Sequence, residues 1–234
     1  MGLNADLAPP SKLLLLLEGR VFPEMGAYFL AQPWLRKLPH GDGHPVMVVP
    51  GFGTSDTHTR LLRRFLKKLG YAAHGWKLGR NLGMNAAVRE GLTPRLKELH
   101  HRYQSKVTLI GWSLGGVFAR ELARRQPELV RAVITLGSPF NASPVANNVD
   151  AWFRRMNPGF KPDFEGFARR ITPPPVPCVA IYSKSDGIVA WQCSLEDAAS
   201  NTENIEVRSS HFGLGVNPRV LKVVAEKLRQ FSTA

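Results

Sequence analysis

The 234-residue chain is 44% hydrophobic and 21% charged, a globular balance that excludes wholesale disorder and suits one large domain with its own apolar core better than two. Lysine and arginine outnumber the acids to give a formal net charge of +13, which favours anionic partners such as acidic lipid head groups and carries no information about fold. These cations lie on polar faces of apparent helices, without the motif and basic aromatic groove that nucleic-acid binding demands, so that class is set aside.

Residues 11–20 read "SKLLLLLEGR". Five leucines closed by Glu18 and Arg20 are far short of a membrane span, and the stretch lacks the basic lead and cleavage site of a secretion signal. The expectation is a cytoplasmic protein in which residues 1–43 form a helical segment packed on the core. The next residues, "VFPEMGAYFLAQPWLRKL", are also rich in large apolar groups, so an interfacial helix with a weak attraction to anionic membrane surfaces is the alternative.

From residue 44 strand-like and helix-like segments alternate, the pattern of a parallel α/β sheet. "VMVVP" at 46–50 is a short buried strand ended by proline, "PGFG" is a turn, and 56–69 is an amphipathic helix with Leu61, Leu62, Phe65, Leu66 and Leu69 on one stripe. A strand fits 71–77 and a helix fits 84–102, with Gly91 and Pro94 working against its continuity. "KVTLIG" is a strand, 114–125 a helix and "RAVITLGS" a strand. Between Pro139 and Pro177 the rhythm breaks into a segment with Trp152, Phe153, Phe160, Phe164 and Phe167 among basic residues. Residues 140–176 are therefore expected to be a helical cap over a core of 44–139 and 177–234. "CVAIYS" and "NIEVRS" continue the sheet, and 216–231 closes the chain as a helix with Val220, Leu221, Val224, Leu228 and Phe231 on one face.

The chemistry is concentrated in "VTLIGWSLGGVFA", residues 107–119. A strand that turns sharply into a helix strains the residue at the turn and crowds the positions two before and two after it, where glycine relieves the collision. Ser113 stands between Gly111 and Gly115 at that junction. Its side chain would be held out on the rim of the sheet beside the positive end of a helix. A serine hydroxyl needs a base, and for this elbow the chain order is nucleophile, acid, base. Of seven histidines only His211, in "SSHFGLG", lies downstream of Ser113. Among the intervening acids Asp186 follows "CVAIYS" and precedes Gly187, which aims it from the carboxyl end of a strand; Asp163 and Glu165 on the presumed cap are the fallback. Backbone N–H groups of Leu114 and of Phe52, in "PGFG", are the candidate oxyanion donors. Trp112, Trp152, Phe153, Trp191 and Phe212 are the candidate lining of an apolar acyl pocket.

Through "VMVVPGFG", "LIGWSLGG", "ITLGSPF", "SKSDGIV" and "SSHFGLG", the chain from about residue 44 onward resembles the α/β-hydrolase superfamily, in its lipase and esterase-like branch. The resemblance implies a mostly parallel sheet of about six strands with a cap after "GSPF", Ser113 as nucleophile, Asp186 as acid, His211 as base, and Phe52 and Leu114 as oxyanion donors. Pro50 departs from the histidine that many relatives carry there. The expected activity is hydrolysis of carboxylic esters, including lipid-like or anionic ones, with no metal or organic cofactor. Acyl transfer or thioester cleavage on the same residues is the enzymatic alternative, and a binding protein on an inactive hydrolase fold is the alternative of another class. Cys178 and Cys193 have no metal-ligand spacing and are read as buried free thiols.

Overall fold

The computed structural model describes residues 7–141, 146–159 and 169–232. Asp163, Glu165, Phe160, Phe164 and Phe167 lie outside them. Six strands, β1 (Pro45–Val49), β2 (Ala72–Gly75), β3 (Val107–Trp112), β4 (Val130–Leu136), β5 (Cys178–Tyr182) and β6 (Thr202–Glu206), form one sheet in the order β2-β1-β3-β4-β5-β6. Every pairing is parallel. Parallel strands need crossover connections, and helices supply them: α4 (Arg60–Lys68), α5 (Ala86–Tyr103) and α6 (Leu114–Arg125) follow β1, β2 and β3, with α8 (Pro218–Ser232) at the end.

Both faces of the sheet are covered, which is why its central strands are buried and largely apolar rather than alternating. Val46 and Val48 of β1 face one cluster, with Leu62 and Phe65 of α4 and Val220, Val224 and Leu228 of α8. Met47 and Val49 face the other, with Leu96 and Leu99 of α5 and Phe118 and Leu122 of α6. The helix α5 runs unbroken through Gly91 and Pro94. The proline removes a bond to the carbonyl of Glu90, but both residues are exposed, so water replaces the lost donor.

The N-terminal segment is a chain of short pieces rather than one helix: α1 (Lys12–Leu16), a 3₁₀ turn at 17–20, α2 (Val21–Leu30) and α3 (Gln32–Leu35). It is anchored by buried Tyr28, Leu35 and Leu38, which join the α4 and α8 side of the core. Among the described residues no helix is long and apolar enough to cross a membrane. In the segment after β4, helix α7 (Asp150–Met156) lies against Phe52, whose ring meets Trp152 at 4.7 Å and Phe153 at 5.2 Å. Because β1 and β3 are neighbours whose crossovers leave in opposite directions, their carboxyl ends open a crevice between them. The turn containing Phe52 and the one containing Ser113 both border it.

Candidate active site

Ser113 sits where β3 ends and α6 begins, with φ 53° and ψ −126°, in backbone space that a side chain rarely occupies. Its N–H is held by the Leu136 carbonyl of β4 at 2.9 Å. A Cβ at Gly111 would strike the backbone of Gly115 and Gly116, and one at Gly115 would strike the carbonyls of Val49 and Pro50. The two glycines are therefore what lets strand, elbow and neighbouring turn approach each other. Ser113 Oγ has no hydrogen-bond partner among the described residues.

Two N–H groups beside it are also unpaired within the described residues: that of Leu114, in the first turn of α6 where no intrahelical acceptor exists, and that of Phe52. The Phe52 turn owes its shape to Asn81, which is fully buried. Asn81 donates from its side chain to the Pro50 carbonyl (2.7 Å) and from its backbone to Thr54 (2.8 Å), and its carbonyl accepts from Gly53 (2.7 Å). Pro50, the departure noted in the sequence, thus contributes a carbonyl to this clamp.

Asp186 occupies the turn after β5. Its Oδ1 accepts from the N–H groups of Ile188 and Val189, both at 2.8 Å, and its Oδ2 accepts from His211 Nδ1 at 2.6 Å. A carboxylate only accepts, so in the neutral ring Nδ1 carries the proton and Nε2 keeps a free lone pair. Both side chains are buried. Burial opposes the imidazolium, but the Asp186 charge and hydrogen bond, with a further contribution from Glu18, outweigh it and hold the His211 pKa above its ordinary value. No hydrogen bond joins His211 to Ser113; the two line the same small cavity. Serine–imidazole bonds of this kind commonly tighten only around bound substrate.

The sequence reading missed how this loop is held. Glu18, buried in the N-terminal segment, accepts through Oε1 from the N–H groups of Gly187 (2.8 Å) and His211 (2.9 Å), and through Oε2 from Phe212 (3.1 Å). One carboxylate thereby ties the turn after Asp186 to the turn bearing His211. Glu24 accepts from the Ser210 N–H and from Asn217 Nδ2, both at 3.0 Å. The available signal was that Glu18 and Glu24 are the two acids in the otherwise apolar or basic stretch 12–38.

The expected lining residues separate into three groups. Trp152 and Phe212 line a small cavity of about 60 Å³ with Ser113 and His211. Trp112 lines it too, and its indole N–H is committed to the His211 carbonyl at 3.1 Å, so it also braces the His211 turn. Phe153 lines a larger cavity of about 630 Å³, with Ser113, Leu114, Val117 and Phe118. Trp191 lines neither: it stacks on Tyr182 at 5.6 Å, with Lys184 over its ring, because the 3₁₀ turn at 191–194 turns it away from Ser113 toward β5. The free thiols are buried, and burial pushes Cys178 up to about 11 and Cys193 up to about 12, so neither is a rival nucleophile near neutrality.

A sequence model for proteins of the alpha/beta hydrolase fold matches residues 46–176, more than half of the chain. A pimeloyl-[acyl-carrier protein] methyl ester esterase of Citrobacter koseri is 34% identical over 95 residues, which are 40% of this chain and 32% of that protein. The chain thus spans about a third of this curated relative. Among solved structures, one of the metagenome-derived lipolytic enzymes LipS and LipT superposes with a TM-score of 0.63 at 17% identity, over 82% of this chain and 96% of the other. A monoacylglycerol lipase of Paleococcus ferrophilus gives 0.60 at 16%, over 83% and 97%. Lipase B of Aspergillus fumigatus gives 0.61 at 18%, over 82% of this chain and 54% of its own. At these identities the superpositions establish a shared fold.

Proposed function

The chain belongs to the alpha/beta hydrolase family, and from that premise we propose that it is a serine hydrolase of carboxylic esters. The observation that carries this is His211, bonded through Nδ1 to buried Asp186 with Nε2 left free, lining one cavity with a serine in a strained elbow. In the proposed reaction Ser113 Oγ attacks the ester carbonyl carbon while His211 Nε2 takes its proton. The tetrahedral oxyanion is received by the N–H groups of Leu114 and Phe52. The imidazolium, stabilised by Asp186 and Glu18, gives its proton to the departing alcohol oxygen and leaves an acyl-enzyme. Water, deprotonated by His211, then attacks the acyl carbon and releases the acid and the serine.

The larger cavity suits the acyl chain, since Leu114, Val117, Phe118 and Phe153 give it an apolar wall; Arg89 also lines it and suits substrates with an anionic end, whereas the Arg125 guanidinium there is paired with Glu121. The smaller one, on the His211 side, suits the alcohol, which must receive the proton there. The esterase activity of the relative from Citrobacter koseri agrees with this class of substrate.

The test is a series of p-nitrophenyl esters of rising chain length, run on the native protein and on Ser113→Ala, with fluorophosphonate labelling alongside. Native turnover and labelling should both disappear in the variant, a loss of about 10³-fold or more in kcat. Activity that survives Ser113→Ala refutes the nucleophile, and a native protein that neither turns over nor labels is a binding protein on this fold.

A further inference from the structure

Soluble helices turn their charges outward and their apolar residues inward, and α2 does the reverse. Its single charged residue, Glu24, points into the protein and accepts the Ser210 and Asn217 donors. Its outward arc is Phe22, Pro23, Gly26, Ala27, Phe29 and Leu30, every one exposed and none able to hydrogen-bond water through its side chain. The exposures are large: 71% for Phe22, 60% for Phe29 and 85% for Leu30, and α1 extends the surface with Leu13 at 65% and Leu16 at 78%. Trp34 of α3 continues it. Among the described residues nothing covers this face. A run of large apolar side chains this exposed on a water-soluble protein marks a contact surface.

Charge selects the occupant. The segment 12–38 has two acids, Glu18 and Glu24, and both carboxylates are consumed inside the protein by backbone and side-chain donors. What it turns outward is positive: Lys12 at one end and Arg36 and Lys37 at the other are exposed. A second copy of the chain would bring a net +13 against a net +13 and place like charges around the same patch, which disfavours self-association. An anionic bilayer satisfies both features, because apolar side chains enter the acyl boundary while flanking lysines and arginines meet acidic head groups, with a tryptophan at the interface.

We propose that α1, α2 and α3 form a docking face for anionic lipid bilayers, lying in the interface without crossing it. The face reaches the rim of the candidate active site: Leu17 is exposed beside Glu18, and Glu18 holds the N–H of exposed Phe212, which lines the small cavity with Ser113 and His211. Docking would therefore set the mouth of that cavity against lipid. Membrane binding is read without substrate, so its failure and the failure of the hydrolase assignment are separate results.

Co-sedimentation with vesicles of phosphatidylcholine, alone or mixed with phosphatidylglycerol, tests the proposal. The native protein should bind the mixed vesicles about tenfold or more better than the neutral ones. A Phe22→Ser/Phe29→Ser/Leu30→Ser variant should lose about tenfold or more of that binding while staying folded at the assay temperature, since all three side chains are mostly exposed and only Phe29 packs, edge-on against Tyr28. An Arg36→Glu/Lys37→Glu variant, which leaves the apolar arc intact, should lose the preference for the anionic vesicles. Native binding by the triple variant, or no binding of either vesicle by the native protein, overturns the proposal. So does light scattering that finds a native dimer which the triple variant dissolves, because the face then belongs to a second copy.

Discussion

Replacing Glu18 by Gln should damage both the stability and the pH response of the candidate site, whose proposed nucleophile, Ser113, lies 95 positions away in sequence. The native carboxylate satisfies three backbone donors at 2.8, 2.9 and 3.1 Å and is buried. The glutamine amide keeps one oxygen for Gly187 and His211 but sets an NH₂ group against the Phe212 N–H, and it weakens the remaining bonds by removing their charge. Leaving one buried donor unsatisfied costs about 1–3 kcal/mol. A loss of about 2 kcal/mol corresponds to a fall in Tm of about 4–8 °C for a chain of this size, whereas Glu226→Gln, at an exposed pair with Lys222, should cost less than about 0.5 kcal/mol. The Glu18 charge also helps to raise the His211 pKa. A base must be neutral to act, so removing that charge should move the acid limb of kcat/KM to lower pH. A group whose folded pKa is raised stabilises the protein fully below its unfolded pKa, near 6.5 for histidine, and loses that contribution as pH rises through the folded value. Part of the Glu18→Gln deficit should therefore be larger below about pH 6 than in alkali. Calorimetry and a pH–rate profile measure the two effects; a variant with native Tm and a native acid limb would show that Glu18 neither holds nor tunes the loop.

Two further outcomes follow from other buried contacts. Asn81→Ala removes the side-chain bond to the Pro50 carbonyl and should loosen the Phe52 turn, lowering kcat by about tenfold to a hundredfold with little change in KM, because the donor it positions matters most in the transition state; initial-rate kinetics on a short ester measures the split, and a change confined to KM would contradict it. Arg120 and Glu196 form a fully buried ion pair, with further Arg120 bonds to the carbonyls of Arg170, Ile171 and Thr172. Glu196→Ala strands the guanidinium and should cost about 3–5 kcal/mol by urea unfolding, an expectation defeated by a loss below about 1 kcal/mol.

The alternation of strand and helix from residue 44 is a local feature, and so is Gly111, whose added Cβ would strike Gly115 and Gly116 of its own elbow; Gly115 is required by the Val49 and Pro50 carbonyls of the neighbouring strand, a contact that only the elbow pattern anticipates. His211 is legible because no other histidine follows the serine, and Asp186 because a turn at the end of an apolar strand aims its side chain at the sheet edge. Trp191 illustrates the limit of such reasoning: its residue type suits a pocket, but the 3₁₀ turn that carries it faces Tyr182.

The clamps were not legible. Glu18 reaches Gly187, His211 and Phe212 across separations of 169, 193 and 194 residues, and Asn81 reaches Pro50 across 31. Their partners are main-chain groups, carbonyls that every residue offers and N–H groups that every residue but proline offers, so no sequence pattern marks them. The same holds for the orientation of α2. Its sequence makes the helix apolar; which side meets solvent shows only in the fold, where Glu24 turns inward to Ser210 and Asn217, Tyr28 enters the core, and Phe22, Phe29 and Leu30 remain outside. Sequence determined which chemistry the chain carries, and tertiary structure determined which buried donors each acid satisfies, because that depends on loops meeting in space.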